Sequence, residues 1–359
     1  MAIVHLKDLT GFVCAPETPI REVLARFNDL LQPCHVVLDQ TGRLLGTVTD
    51  GDIRRALLKG VALDDSISQC MHTDGVTGRV GNHMENMSRL RYVEFLPLVD
   101  ESGVVAELLI RKRARCGIDT CLVMAGGLGT RLGEKTHSLP KPLLPVGGKP
   151  ILEQIIARLE AAGVSEIFIS VHYLADKIEA FIAARENRAT VRVIYEDSRL
   201  GTAGAISNLP QPLDSPLLIV NGDVVTDVDF LALQEFHQRS GCAGTVAVAR
   251  YDVKVPFGVV WQDGDGLFAS IEEKPTLRHF VAAGIYYLSP EFCALVSPNR
   301  PTDMPNLLNL GRKAGLRIGL FPIHEYWLDV GRPDDLEVVE REHGDTGRNA
   351  QTSGRRKAK

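Results

Sequence analysis

The chain has 359 residues, 45% of them hydrophobic and 24% charged, with a formal net charge of −5. That length exceeds one ordinary domain and predicts two folding units with large apolar cores, while the mild acidity gives no support to nucleic-acid binding. No apolar stretch is long enough to span a bilayer and Met1-Ala2-Ile3-Val4-His5 opens no signal-peptide pattern, so no membrane partner and a cytoplasmic location are expected. The seven cysteines, at 14, 34, 70, 116, 121, 242 and 293, are odd in number and scattered without a C-x-x-C pair. They read as small buried hydrophobes and argue against a disulfide framework or a zinc site.

Ile20, Val23, Leu24, Phe27 and Leu31 recur at helical spacing. Then Cys34-His35-Val36-Val37-Leu38-Asp39-Gln40-Thr41-Gly42 lines up with Phe95-Leu96-Pro97-Leu98-Val99-Asp100-Glu101-Ser102-Gly103 at an offset of 61 residues. Each copy reads as strand, Asp-x-x-Gly turn, strand, which is hairpin chemistry. After the first copy, Asp50 is placed to cap a helix over 53–58 that Gly60 stops. Residues 1–115 therefore hold two copies of one α/β unit. With Gly46-Thr47-Val48-Thr49-Asp50-Gly51-Asp52-Ile53, the pattern resembles a pair of CBS motifs, a module that usually pairs pseudosymmetrically and often binds adenine nucleotides. The resemblance implies phosphate on Thr49 and ribose hydroxyls on Asp52. The second copy has Ile110-Arg111-Lys112-Arg113 at the equivalent place, without the hydroxyl or the carboxylate. One adenine or guanine nucleotide per pair is expected, with its phosphates drawn toward those basic residues; a module that only packs or dimerises is the alternative.

From residue 118 to 345, apolar strands alternate with amphipathic helices, which predicts a mixed, mainly parallel Rossmann-like sheet covered on both faces. Ile151, Leu152, Ile155, Ile156 and Leu159 form a helical stripe closed by Gly163, and Glu166 to Val171 is the next strand. Further strands are predicted at 191–195, 216–220, 245–250 and 283–288. Residues 346–359 hold five basic residues, no acid after Thr346 and almost nothing apolar, and read as a basic disordered tail.

The chemistry concentrates at the start of this second unit. Cys121-Leu122-Val123-Met124-Ala125 runs into Gly126-Gly127-Leu128-Gly129-Thr130-Arg131, and Pro140-Lys141-Pro142 follows within ten residues. A strand opening into a glycine-rich turn exposes backbone N–H groups to polyphosphate oxygens, because glycine has no Cβ to block the approach. Arginine grips such oxygens through several donors and lysine acts as a compact mobile charge, so the pair suits a reaction that moves charge between phosphates. Neither a P-loop nor the dinucleotide fingerprint fits, since Gly129 is not followed by Lys-Ser/Thr and the glycine register is too tight. Gly126 to Leu132, Thr136 and Pro-Lys-Pro-Leu-Leu-Pro-Val at 140–146 instead resemble the signature of the sugar-1-phosphate nucleotidyltransferases, a GT-A-like fold. One departure is Leu132-Gly133-Glu134-Lys135-Thr136, where that family has Leu-x-Pro-x-Thr, so a more mobile lid is expected.

Four further motifs fall in the family's order. Leu200-Gly201-Thr202-Ala203-Gly204 offers small residues and a helix start with free N–H donors to a nucleoside. Its form is closest to the guanylyltransferase branch. Asp223 ends an apolar strand and Asp329 follows Trp327-Leu328, and strand-end carboxylates suit a hard cation such as Mg²⁺. Ile271-Glu272-Glu273-Lys274-Pro275 and Ala282-Ala283-Gly284 complete the set. The resemblance implies that Ala125, Gly126, Gly127, Gly129, Thr130 and Arg131 hold the triphosphate, with Arg131 on its outer phosphates. It implies Lys141 on the α-phosphate, Asp223 and Asp329 on Mg²⁺, and Gly201, Thr202 and Ala203 at the base. Glu273 and Lys274 would meet the sugar phosphate, and Ala283-Gly284 would let the hexose lie against a strand. A nucleoside triphosphate and a sugar 1-phosphate are then the substrates, and a homo-oligomer in bacterial surface-sugar synthesis is expected. A cytidylyltransferase for a sugar acid and a non-catalytic nucleotide sensor are the rival readings.

Overall fold

The computed structural model describes residues 2–30, 34–112, 117–127, 129, 132, 133, 136–331 and 335. The chain divides between Cys116 and Gly117 into two compact units. The basic tail from Thr346 lies outside the described residues, as does Cys116.

The first unit runs β1 (Ala2–Leu6), β2 (Val13–Cys14), α1 (Ile20–Leu30), β3 (His35–Leu38), β4 (Leu44–Val48), α2 (Asp50–Leu58), β5 (Gly78–Arg79), α3 (His83–Arg89), β6 (Phe95–Val99) and β7 (Val105–Lys112). It forms a three-stranded sheet, β2-β3-β4, and a four-stranded sheet, β1-β7-β6-β5. The repeat is visible atom by atom in its two hairpin turns. Asp39 Oδ1 accepts from the Thr41 N–H at 2.8 Å, the Thr41 hydroxyl at 2.7 Å and the Arg43 N–H at 2.9 Å. Asp100 Oδ1 does the same with Ser102 and Val104, at 2.8, 2.6 and 3.0 Å. Each turn ends on a glycine at φ +84°, a conformation that a side chain would strain.

Cys14, Cys34, Cys70, Cys121 and Cys293 are buried, and burial raises each thiol above its ordinary range. His35 is a costlier occupant of the first core. It is fully buried edge-on to Phe27, with ring centroids 4.7 Å apart and neither ring nitrogen hydrogen-bonded among the described residues. Burial, helped by the Arg26 charge, lowers its pKa to about 4 against the opposing influence of the Phe12 and Val23 backbone. The unfolded chain therefore takes up a proton first, and stability present above the ordinary histidine pKa is lost as pH falls toward about 4. At about pH 5 the loss is roughly 2 kcal/mol relative to neutral pH. In the second copy the matching residue is Leu96. His35→Leu is expected to flatten this acid limb in urea denaturation; an unchanged limb would assign the acid sensitivity elsewhere.

The second unit runs β8 (Thr120–Met124), β9 (Pro145–Val146), β10 (Lys149–Pro150), α4 (Ile151–Ala161), β11 (Glu166–Val171), α5 (Ala175–Ala183), β12 (Thr190–Tyr195), α6 (Gly201–Gly204), β13 (Leu217–Asn221) and β14 (Val224–Thr226). It continues through α7 (Phe230–Ser240), β15 (Gly244–Lys254), β16 (Val259–Gln262), β17 (Phe268–Glu272), β18 (Thr276–Leu288), α8 (Pro290–Cys293), α9 (Met304–Lys313), β19 (Ile318–Pro322) and β20 (Trp327–Asp329). Seven strands form one sheet in the order β12-β11-β8-β13-β18-β15-β19. The pairs β12/β11, β11/β8, β8/β13 and β15/β19 are parallel, and β18 runs antiparallel to both its neighbours. Alternate residues Cys121, Val123, Ile167, Ile169, Leu218 and Val220 share one core with the α4 stripe. Leu122, Phe168 and Ile219, which point the other way, are also buried, so both faces are covered as a parallel sheet requires. The carboxyl ends of β8, β11, β12 and β13 then lie together, where ligands of such sheets sit.

Candidate active site

β8 delivers the glycine loop. The Ala125 N–H donates to the Ser170 carbonyl at 2.9 Å, fixing the last ordered step before the turn. A Cβ on Gly126 would lie 3.0 Å from Glu196 Oε1, whereas one on Gly127 would meet nothing within 4 Å among the described residues. Gly129 sits at φ +62°, and a Cβ there would press within 2.8 Å of Thr136. The buried Thr136 hydroxyl clasps the loop by donating toward the carbonyls of Gly129, at 3.0 Å, and Gly133, at 3.1 Å. Thr130 and Arg131 lie outside the described residues, as do Glu134 and Lys135 of the expected lid.

Lys141 opens a 3-10 turn whose Pro142 and Leu143 are buried, which anchors its backbone. Its ammonium is ion-paired to Asp223 Oδ2 and lies 3.8 Å from Asp329 Oδ1. The two aspartates, 106 residues apart in sequence, are brought together by main-chain pairing. β14 and β20 run antiparallel with Val224 opposite Asp329, and the Val330 N–H donates to the Asp223 carbonyl at 3.1 Å. Gly222, between β13 and Asp223, donates to the Met124 carbonyl at 2.9 Å; a Cβ there would meet that oxygen at 2.8 Å. The aspartate pair is thereby pressed against the mouth of the glycine loop. Among the described residues Asp223 Oδ1 is buried without a hydrogen-bond partner, which is an expensive place for a carboxylate oxygen unless a cation meets it. Two carboxylates completed by phosphate oxygens and water are the donor set of Mg²⁺, and among the described residues no third acidic, His or Cys ligand joins them.

Ala283 and Gly284 lie beside this cluster in β18. Gly284 has φ +72°, and a Cβ would lie 2.7 Å from Asn221 Nδ2, so the position excludes side chains on two counts. The Ala283 carbonyl accepts from Trp327 Nε1 at 2.8 Å, tying β18 to the strand that carries Asp329. Tyr286 is buried nearby, and burial followed by the Asp223 charge raises its phenol pKa. Glu273 and Lys274 stand on the exposed connection from β17 to β18, Lys274 at φ +47°. No described ion pair joins either one to the aspartates.

The structure changes the reading of the Gly201 segment. Gly201 has φ +77°, and a Cβ there would lie 2.7 Å from Asp303 Oδ1 and 2.8 Å from the Thr302 carbonyl, so only glycine fits. The N–H groups expected to be free are occupied: Thr202 donates to Asp303 Oδ1 at 3.2 Å, and Ala203 and Gly204 donate to Thr302 at 2.9 and 3.1 Å. The segment is a rigid small-residue wall, braced from behind by the loop before α9. What lies beneath it was missed in the sequence. Glu196, at the end of β12, is 8% exposed; its Oε1 accepts from the Ser170 hydroxyl and its Oε2 from the Leu200 N–H at 3.0 Å. A lone acid after a strand carries no motif; only its place three residues from Arg199-Leu200-Gly201 could have drawn notice.

In the first unit, Thr49 rather than Asp50 is the cap of α2, and Asp50 is its first residue. Thr49 and Asp52 form a capping box: Asp52 Oδ2 accepts from the Thr49 N–H at 2.9 Å and from its hydroxyl at 2.6 Å, and Asp52 Oδ1 pairs with Arg55. Ribose hydroxyls would have to displace Arg55. Arg111 donates from Nη1 to the Arg91 carbonyl at 3.0 Å; the side chain of Lys112 and all of Arg113 lie outside the described residues.

A sequence profile described as nucleotidyl transferase matches residues 120–345. The chain belongs to this family. A CBS domain profile matches residues 3–59 of the same chain, within the first unit, so this nucleotidyl transferase carries the module ahead of its catalytic fold. The mannose-1-phosphate guanyltransferase of Candida albicans is 33% identical over 224 residues, 60% of this chain and 62% of that one. That of Schizosaccharomyces pombe is 31% identical over 223 residues, 60% of this chain and 61% of its own. The chain thus spans about 62% of the length of such curated relatives. Crystal structures of HddC from Yersinia pseudotuberculosis, one of them complexed with GMP-PN, superpose with a TM-score of 0.50 at 28% and 27% identity. They cover 63% of this nucleotidyl transferase and 99% of HddC. No described helix is long and apolar enough to cross a membrane.

Proposed function

We propose that the second unit transfers a guanylyl group from GTP to a sugar 1-phosphate, giving a GDP-sugar and pyrophosphate. The observation that carries the reading is the convergence of Lys141, Asp223 and Asp329 at the mouth of the glycine loop. A phosphate oxygen of the sugar 1-phosphate attacks the α-phosphorus in line, the bond from that phosphorus to the β-phosphate oxygen breaks, and both electrons leave with pyrophosphate. No covalent enzyme intermediate is needed. Lys141 places a compact positive charge beside the α-phosphate and the incoming phosphate, and the loop backbone at Gly126, Gly127 and Gly129 orients the outer phosphates, with Arg131 assigned the same task from the family pattern. Asp223 and Asp329 would hold Mg²⁺, which when bound supplies charge neutralisation to the phosphates. Positioning and fixed charge do most of the catalysis in such transfers. Glu273 and Lys274 are assigned to the sugar phosphate, Ala283 and Gly284 to the hexose, and the wall of Gly201, Thr202 and Ala203 to the nucleoside. Residues 1–115 would act as a CBS pair, with Thr49 and Asp52 as its nucleotide site, upstream of a catalytic domain over 118–345.

Glu196 supports guanine as the base. A carboxylate only accepts hydrogen bonds, and guanine presents two adjacent donors on one edge where adenine presents an acceptor. Glu196→Gln replaces one accepting oxygen with a donor while keeping shape, so kcat/KM for GTP is expected to fall about 10- to 100-fold, the worth of roughly 1–3 kcal/mol for a buried pair left unmatched. Equal kinetics in the variant would separate Glu196 from the base. The reading as a whole is tested by following pyrophosphate release from each of the four triphosphates with a panel of hexose 1-phosphates. Release from GTP that requires the acceptor, with mannose 1-phosphate among the best, is expected. Preference for CTP with a sugar acid, or no release at all, would replace it with one of the rival readings.

A further inference from the structure

A cleft of about 790 Å³ opens between α9 and the loop that leads into it from Leu295. That volume is in the range of small-molecule sites and far exceeds a single phosphate. Asn306, Asn309, Leu310 and Lys313 line it at the i, i+3, i+4, i+7 spacing of one helix face, and the loop contributes Leu295, Arg300, Pro301 and Thr302. Three cations, Arg300, Arg312 and Lys313, border the cleft and no carboxylate does. Among the described residues no ion pair joins any of the three, so their summed field is left to attract an anion. Arg312 and Lys313 lie in the last turn of α9, where cations also complement the helix dipole, but Arg300 stands on the loop and has no such role.

The rest of the lining narrows the ligand. Leu310 is 46% exposed and, with Leu295 and Pro301, supplies apolar surface for a flat ring. The Asn306 and Asn309 carboxamides offer donors and acceptors together, as the edge of a base requires. Three cations match a diphosphate better than a monophosphate. The geometry points to a second nucleotide site here, for a nucleoside diphosphate, that takes no part in the transfer reaction itself. The loop that would hold this ligand also holds the wall at Gly201. The Thr302 N–H donates to the Leu200 carbonyl at 2.7 Å, its carbonyl accepts from Ala203 and Gly204, and its hydroxyl donates to the Arg300 carbonyl at 3.2 Å. A Cβ on Gly204 would lie 3.3 Å from that same Arg300 oxygen. An occupant that joins Arg300 to α9 therefore restrains the brace of the wall. The consequence for catalysis rests on the reading of that wall as the nucleoside seat: filling the cleft changes the affinity for GTP by about 5-fold or more, and GTP changes the affinity of the cleft by the same factor.

Hydrogen–deuterium exchange of the full chain with ADP, GDP or pyrophosphate tests the site, because protection is localised peptide by peptide. ADP or GDP is expected to slow exchange at 300–313, and pyrophosphate at equal concentration to do so less. An Arg300→Glu, Lys313→Glu double variant is expected to raise the concentration for half-maximal protection about 10-fold or more. Both side chains are exposed, and circular dichroism checks that the fold survives. Arg317→Glu, a charge reversal outside the cleft, is expected to leave the protection unchanged. Absence of protection at 300–313 with both nucleotides, equal protection by pyrophosphate, or an equal loss in Arg317→Glu would overturn the inference. Exchange is read without turnover, so the site can fail this test while guanylyl transfer stands.

Discussion

Asp223→Asn lowers turnover by about 1,000-fold, roughly 4 kcal/mol, without lowering the unfolding temperature. The two halves of this expectation come from one atom. Among the described residues Asp223 Oδ1 is buried with no partner, and Oδ2 meets Lys141, so the carboxylate is held in a place that folding alone does not favour. Replacing it with the isosteric amide removes a buried charge and takes away a ligand that a cation on the phosphates requires. Kinetics and thermal unfolding of the same preparation check both parts. Near-normal turnover would remove Asp223 from the metal site, and a large drop in unfolding temperature would make its role structural.

Lys141→Ala is expected to cost a further order-of-magnitude class of activity, about 100- to 10,000-fold in kcat, with a smaller effect on the KM for triphosphate. Its side chain is only 13% exposed and its ammonium sits between two carboxylates, so it is preorganised toward the point where negative charge moves during transfer. Arginine is not an equivalent, because a planar fork does not fit a site built around a compact charge. Lys141→Arg should therefore recover little. Recovery of most activity by arginine would show that charge alone, without placement, is what the reaction uses.

Much of this site was legible in the sequence, and the parts that were not have physical causes. The strand-turn of Ala125 to Gly129 and the carboxylate at Asp223 announce themselves because a hydrophobic run ending on Gly or Asp is a poor choice for anything but a site. The convergence of Asp223 with Asp329 is a property of the β14–β20 register, which no local pattern encodes. The long ribbon beyond Val248 was also hidden, because the predicted strands at 245–250 and 283–288 cover only the mostly buried halves of β15 and β18. Helix ends show what local sequence leaves out in two places. The N–H groups of Thr202 to Gly204 were assigned to a ligand but are met by Thr302 and Asp303 from a loop a hundred residues away, and Asp52 is engaged by its own cap and by Arg55. Local sequence shows which groups a helix end leaves open, whereas the fold decides what closes them.

The most direct measurement follows two labels on GTP. With mannose 1-phosphate as acceptor, a label on the α-phosphate is expected in the GDP-sugar and a label on the γ-phosphate in pyrophosphate, in equal amounts. A γ-label in the sugar product would mean phosphoryl rather than nucleotidyl transfer, and failure of either label to move in the presence of Mg²⁺ would contradict the assignment of Lys141, Asp223 and Asp329 to catalysis.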